Sequence, residues 1–214
     1  DSSAIKDLAE QCMAGQLQAG ETKYHVAQGK AARHSEDGRI EFIIQPSSEN
    51  VHFEVDKEET IDYKNTNLIQ NVIQEQHLAT IIHPQEPENG VNLYGNTLTA
   101  REGVPLKIKL GSNVTLDQDK IFAQVGGRFI QENEELSVNP NYTVRGDVDF
   151  TIGNINFIGS VQVQRDVLDD FSVYGKEGVE IGGVVGAATV ESDKDIILQG
   201  GMNGKGKGFV RASG

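Results

Sequence analysis

The chain has 214 residues, enough for one large or two small domains. Its 19 basic and 32 acidic side chains leave a net charge of −13, which repels phosphate backbones and excludes nucleic acid as the default partner. The lone Cys12 excludes an internal disulfide framework and a cysteine-rich zinc site, and no apolar stretch approaches the roughly 20 residues of a membrane helix. With no basic segment followed by an apolar one at its start, the chain is expected to be soluble and cytoplasmic.

In chain order, Ile5, Leu8, Ala9, Cys12 and Met13 recur at helical spacing after Ser2-Ser3, which predicts a helix ended by Gly20. Strands are predicted at 24–27 and 39–44, around a turn at Asp37-Gly38, then at 51–55 and at 78–82, stopped by Pro84. Residues 84–95 read as a turn-rich connector. From Leu106 onward only short β-type runs remain, separated by Gly, Asn and Asp. Four of the 24 glycines precede residue 90, whereas all five histidines do. These shifts predict an α+β region over 1–110 and a β-solenoid over 111–214.

The solenoid reading rests on a degenerate repeat. Gly153-Asn154-Ile155-Asn156-Phe157-Ile158-Gly159 carries an apolar-x-apolar core that Val179-Glu180-Ile181 and Ile196-Ile197-Leu198 repeat, at steps of 24 and 17 residues. Val173 to Val179 is matched by Val190 to Ile196, each a gap of six, and Val210 starts another copy. Short strands of this kind point apolar residues inward and polar ones outward, and turn at Gly and Asn corners. Each coil must stack on the next to bury its inward face. Ile155, Phe157, Val173, Val179, Ile181, Val190, Ile196 and Leu198 are the expected inward set. An antiparallel sandwich or barrel with glycine-rich hairpins is the alternative.

The run from Arg145 through Gly146-Asp147-Val148-Asp149, Gly153-Asn154-Ile155, Phe157 and Gly159 to Val161 resembles the signature of the flagellar assembly protein A family. Phe171 fits a following family motif, with Asp170 where the family usually has Gly. Gly200-Gly201-Met202-Asn203-Gly204 and the glycine–lysine run after it resemble a third motif. Ile61-Asp62-Tyr63-Lys64 and Pro84, Gly90 and Gly95 fit the family's N-terminal region. The resemblance implies a right-handed parallel β-helix after an α+β region, a part in bacterial flagellar assembly, recruitment to a cell pole or flagellar base, and no established enzyme activity. The family's solenoid continues into a helical region. This chain lacks that tail and begins without Met, so it is expected to be a fragment.

Candidate chemistry is sparse. Gly201 to Gly208 falls one residue short of a phosphate-binding loop, because Gly208 replaces the magnesium-binding Ser or Thr and a strand-like run follows where a helix is needed. Lys205, Lys207 and Arg211 remain as a small basic spot for an anion or an acidic partner. The pairs Asp117/Asp119, Asp147/Asp149 and Asp193/Asp195 would share a face on a strand, where two carboxylates can bind calcium or do acid–base work. None has the surrounding pattern of a known calcium loop, so solvated coil edges are expected. The histidines form no metal motif, and no nucleophile elbow is present. No catalytic residue, metal or cofactor is therefore assigned.

The expected function is a non-enzymatic scaffold that binds protein partners through solenoid faces and the acidic N-terminal region, with homo-oligomerisation through solenoid ends. The alternatives are a polymerising, bactofilin-like β-helix and a carbohydrate-active β-helix enzyme whose acidic site would include Asp147 and Asp149.

Overall fold

The computed structural model of the chain describes residues 6–7, 9–10, 13–14, 28–47 and 69–214. Residues 6–7, 9–10 and 13 are helical, on the segment where the sequence predicts a helix, and the Ala14 N–H donates to the Glu10 carbonyl at 2.9 Å. Met13, expected on that helix's apolar face, is 90% exposed. Ile5, Leu8, Cys12 and Gly20, and the strands expected at 24–27 and 51–55, lie outside the described residues.

All the other regular elements are strands. The first ten strands are β1 (Arg39–Phe42), β2 (Asn71–Val72), β3 (His77–Ile82), β4 (Gly90–Val91), β5 (Thr97–Leu98), β6 (Lys109–Leu110), β7 (Val114–Asp117), β8 (Lys120–Ala123), β9 (Gly127–Glu132) and β10 (Glu135–Asn139). Eight follow: β11 (Asn141–Val144), β12 (Ile155–Phe157), β13 (Ser160–Val163), β14 (Ser172–Gly175), β15 (Gly178–Ile181), β16 (Thr189–Ser192), β17 (Ile196–Leu198) and β18 (Phe209–Ala212). The chain divides into two compact units, residues 1–39 with 82–106 and residues 40–81 with 107–214.

In the first unit β4 and β5 form an antiparallel hairpin, β4 within the connector predicted over 84–95 and β5 just beyond it, and Lys30 and Arg33 bridge to Val91 and Glu88. Ion pairs Lys30–Glu88 (3.1 Å) and Arg101–Asp37 (3.4 Å) lie on its surface.

In the second unit two four-stranded sheets, β1-β3-β8-β7 and β2-β9-β10-β6, share one core. Alternation builds them: in β8 Ile121 and Ala123 are buried, and in β10 Leu136 and Val138 are. The β9–β10 turn places Asn133 at φ 54°, a left-handed conformation that Asn tolerates better than most residues. These strands are mainly antiparallel, apart from the parallel pair β6–β10, and coil-on-coil stacking starts at Asn141, later than the division expected at residue 110.

From Asn141 the chain is a solenoid of two four-stranded parallel sheets, β11-β13-β15-β17 and β12-β14-β16-β18, with a short third face bridged through Val148, Val167, Val185 and Met202. The inward columns are Tyr142–Val161–Val179–Ile196, Val144–Val163–Ile181–Leu198 and Ile155–Val173–Val190–Val210. Ile155, Phe157, Val173, Val179, Ile181 and Val190 are buried as expected, and Ile196 and Leu198 pack partly buried against them. Full burial of each such side chain stabilises the coil stack by roughly 1.5–3 kcal/mol.

One alignment is corrected. The sequence pairs Ile155 with Val179, but Ile155 sits under Val173, 18 residues on, in the other sheet. Both sheets carry the same apolar-x-apolar alternation, so local pattern does not say which sheet a strand joins. The matches of Val173 to Val190, Val179 to Ile196 and Val190 to Val210 are those of the structure.

Candidate functional site

The signature residues 146–159 make the first corner and the strand after it. Val148 is fully buried on the short third face. Beside it, Asp147 Oδ1 accepts the N–H of Asp166, one coil on, at 3.1 Å, and Asp166 Oδ1 accepts the N–H of Val184 at 2.7 Å. Asp169 Oδ1 serves Ala187 at 2.8 Å and Asn154 Oδ1 serves Ser172 at 2.9 Å. These side chains satisfy backbone donors at corners, where the sheet ladders are interrupted. Gly183 belongs to this arrangement, because a Cβ there would collide with Asp166 Oδ1 and come within 2.6 Å of the Arg165 carbonyl carbon.

Asp149 works differently. Its Oδ1 accepts the N–H groups of Thr151 (2.8 Å) and Ile152 (3.4 Å), closing a turn that Gly153 leaves at φ 75°. Asp147 and Asp149 thus serve different backbone amides. Ile155 and Phe157 enter the core, and Gly159 packs against the Pro140 carbonyl and the Phe157 ring. Phe171 is buried, with Phe150 edge-on to it at 5.0 Å. Gly146 borders open space.

The glycine–lysine run closes the last corner. Gly200 lies against the Gly183 backbone, Gly201 has φ 74°, and the Gly204 carbonyl accepts the N–H groups of Lys207 and Gly208, each at 2.7 Å. Strand β18 follows, as the sequence indicates. The three basic residues have different surroundings, and Lys207 is exposed. Lys205 Nζ is bound to Asp169 Oδ2 at 2.6 Å, while Arg211 stands on β18 in register with Glu191. The Lys205 hydrogen bond, with the Ala187 N–H, holds the Asp169 carboxyl below the usual carboxylate range.

On the outward face of the β12-β14-β16-β18 sheet, Asn156, Tyr174, Glu191 and Arg211 form one column. Burial, then a hydrogen bond to Asp193, raises the Tyr174 hydroxyl above its ordinary range. On the other sheet Glu180 accepts from Gln199 at 2.7 Å and Gln162 at 3.4 Å, and Lys194 pairs with Glu177. A shallow groove of about 570 Å³ runs past Ile73, Gln124, Pro140, Ile158 and Lys176.

Among the described residues no group of three His, Cys, Asp or Glu side chains could hold a metal ion, and no helix is long and apolar enough to cross a membrane. His77 bonds Thr80 and the Ala79 carbonyl, each at 3.1 Å, and stacks near Phe122; His34 accepts the Arg101 N–H. Asp166 and Asp169 were not anticipated from the sequence. The pair Asp147-Val148 and Asp166-Val167, one coil apart, is the signal that marks the first of them.

Comparison with known proteins gives two family matches. Residues 1–134 match the Flagellar Assembly Protein A N-terminal region, and residues 140–214 match the Flagellar Assembly Protein A beta solenoid domain. Neither the curated proteins nor the solved structures compared with the chain give a match. Together the two matches take in almost every residue, and the second begins beside the first solenoid strand at Asn141, so the chain belongs to the flagellar assembly protein A family.

Proposed function

We propose that the chain is a non-enzymatic scaffold of bacterial flagellar assembly that binds protein partners through its solenoid faces and its acidic N-terminal region. The observation that carries the reading is the pair of family matches over both regions. The structure adds a surface suited to the task. Stacked coils present rigid, repeating columns, and Phe150, Leu168 and Val184, each within two residues of a third-face bridge on three successive coils, are 63%, 42% and 44% exposed. The corner carboxylates of Asp147, Asp149 and Asp166 accept backbone N–H groups, which supports a coil-fastening role for them. Action in the cytoplasm, with recruitment to a cell pole or flagellar base, is part of the proposal.

The test is deletion of the gene in a flagellated bacterium that carries it. Flagella are counted by electron microscopy, and a fluorescent fusion is located in the same cells. Loss or misplacement of flagella, restored by the intact gene, is the expected result. Unchanged flagellation in the deletion strain would overturn the proposal.

A further inference from the structure

Among the described residues the β4–β5 hairpin has an open edge, and the chemistry of that edge is self-complementary. Val91 uses both of its backbone groups on Lys30: Lys30 N–H donates to the Val91 carbonyl at 2.8 Å, and Val91 N–H to the Lys30 carbonyl at 2.7 Å. An antiparallel ladder alternates bonded and non-bonded pairs. Val91 and its partner Thr97 are therefore a non-bonded pair, and Gly90 with Leu98 is the bonded one. The Ala100 N–H turns back to Asn89 Oδ1 at 2.8 Å, in phase with Leu98. By the same alternation the N–H and C=O of Thr97 and Thr99 point away from β4. Among the described residues β4 is the single strand neighbour of β5.

We infer that a second copy of this chain docks on this edge, β5 against β5, antiparallel about a two-fold axis at Leu98. In that register Thr97 of one copy faces Thr99 of the other, and each such pair exchanges two backbone hydrogen bonds. Leu98 meets its own counterpart in the close, non-bonded position between them.

Three further observations favour a second copy as the occupant. Residues 89–100 contain no charged side chain, in a chain of net charge −13 whose copies otherwise repel each other. Leu93, Tyr94 and Leu98 are 64%, 90% and 41% exposed around this edge, which has no Lys, Pro or bulge to guard it. The hairpin is also set in advance: Asn92 Oδ1 accepts the N–H groups of Tyr94 and Asn96, each at 2.9 Å, and Gly95 turns at φ 83°.

Sedimentation equilibrium of the full chain across the micromolar range tests this. Leu98→Lys sets like charges opposite each other at the axis, so dimerisation should weaken about tenfold or more with thermal melting unchanged. A second measurement covers a misfolded Lys variant. In a Cys12→Ser background, Leu98→Cys should oxidise to a disulfide-linked dimer, and Val91→Cys, on the other face of the hairpin, should not. A chain that stays monomeric and gives no Leu98→Cys dimer overturns the inference. So does self-association that Leu98→Lys leaves intact and Val210→Lys, on β18, abolishes.

Discussion

Asn71 and Ile158 are joined by a bond that continues the sheet ladder with a side chain. Asn71 Oδ1 accepts the Ile158 N–H at 3.1 Å, while its Nδ2 donates to the Asn156 carbonyl at 3.1 Å. Strand β12 is the terminal strand of its sheet, so one carboxamide seals the edge that a preceding coil would otherwise cover. Ile69 packs against the same core.

Removing that seal should be costly. Asn71→Ala removes one exposed and one half-buried hydrogen bond, and a loss of about 0.5–1.5 kcal/mol is expected. Asn71→Asp keeps the acceptor for Ile158 but turns a carboxylate oxygen on the Asn156 carbonyl, and should lose at least as much at neutral pH. Denaturant unfolding of the three proteins checks both.

Val179 lies between Val161 and Ile196 in one column and is 3% exposed. Val179→Asp should destabilise by several kcal/mol, since no partner inside the coil can take the charge. Its neighbour Glu180 faces outward, so Glu180→Val should cost far less. Melting temperatures that rank the two the other way would place the strand one residue out of register.

Asp170 sits at φ 68°, left-handed, at the position where the sequence departs from the usual glycine. Asp170→Gly should stabilise by roughly 0.5–1 kcal/mol, the relief of the strain exceeding the extra freedom of the unfolded chain. A rise in melting temperature confirms this; a fall would assign the Asp170 side chain a role in the folded state.

Asp169 has its carboxyl lowered by Lys205 first and by the Ala187 amide second. A carboxyl lowered in the folded state contributes stability above its unfolded range and loses it as pH falls through the folded value. The Ala187 amide signal should therefore titrate at a midpoint below the ordinary value of about 3.9. In Lys205→Gln the midpoint should move up toward that value, read by NMR from neutral pH downward.

The columns were legible because Val and Ile alternate with polar residues at Val173, Val179, Val190 and Ile196, and burial on a two-residue period is a local signal. The phase of Ile155 was not, since its strand looks the same in either sheet. The corner bonds were illegible for another reason. Asp147 and Asp166 act on residues 18 or 19 positions on, and Asn71 acts on residues 85 and 87 positions on, distances at which an Asp or Asn carries no local mark of its partner. Asp170 shows the converse, a departure visible in the sequence whose meaning lies in a dihedral angle.

The seal at Asn71 also gives the coil stack a direction in time. Strand β14 pairs with β12, β16 with β14 and β18 with β16, each with chain already made. A polypeptide leaving the ribosome thus finds a finished template for every new coil, and none has to wait for residues still to be synthesised. The loop closed at each step stays at 17–20 residues however many coils precede it, so the entropy of adding the last coil is about that of adding the second. The step without a finished coil beneath it is the docking of the first coil on the sheet that holds Asn71, so a lesion there should delay every coil after it.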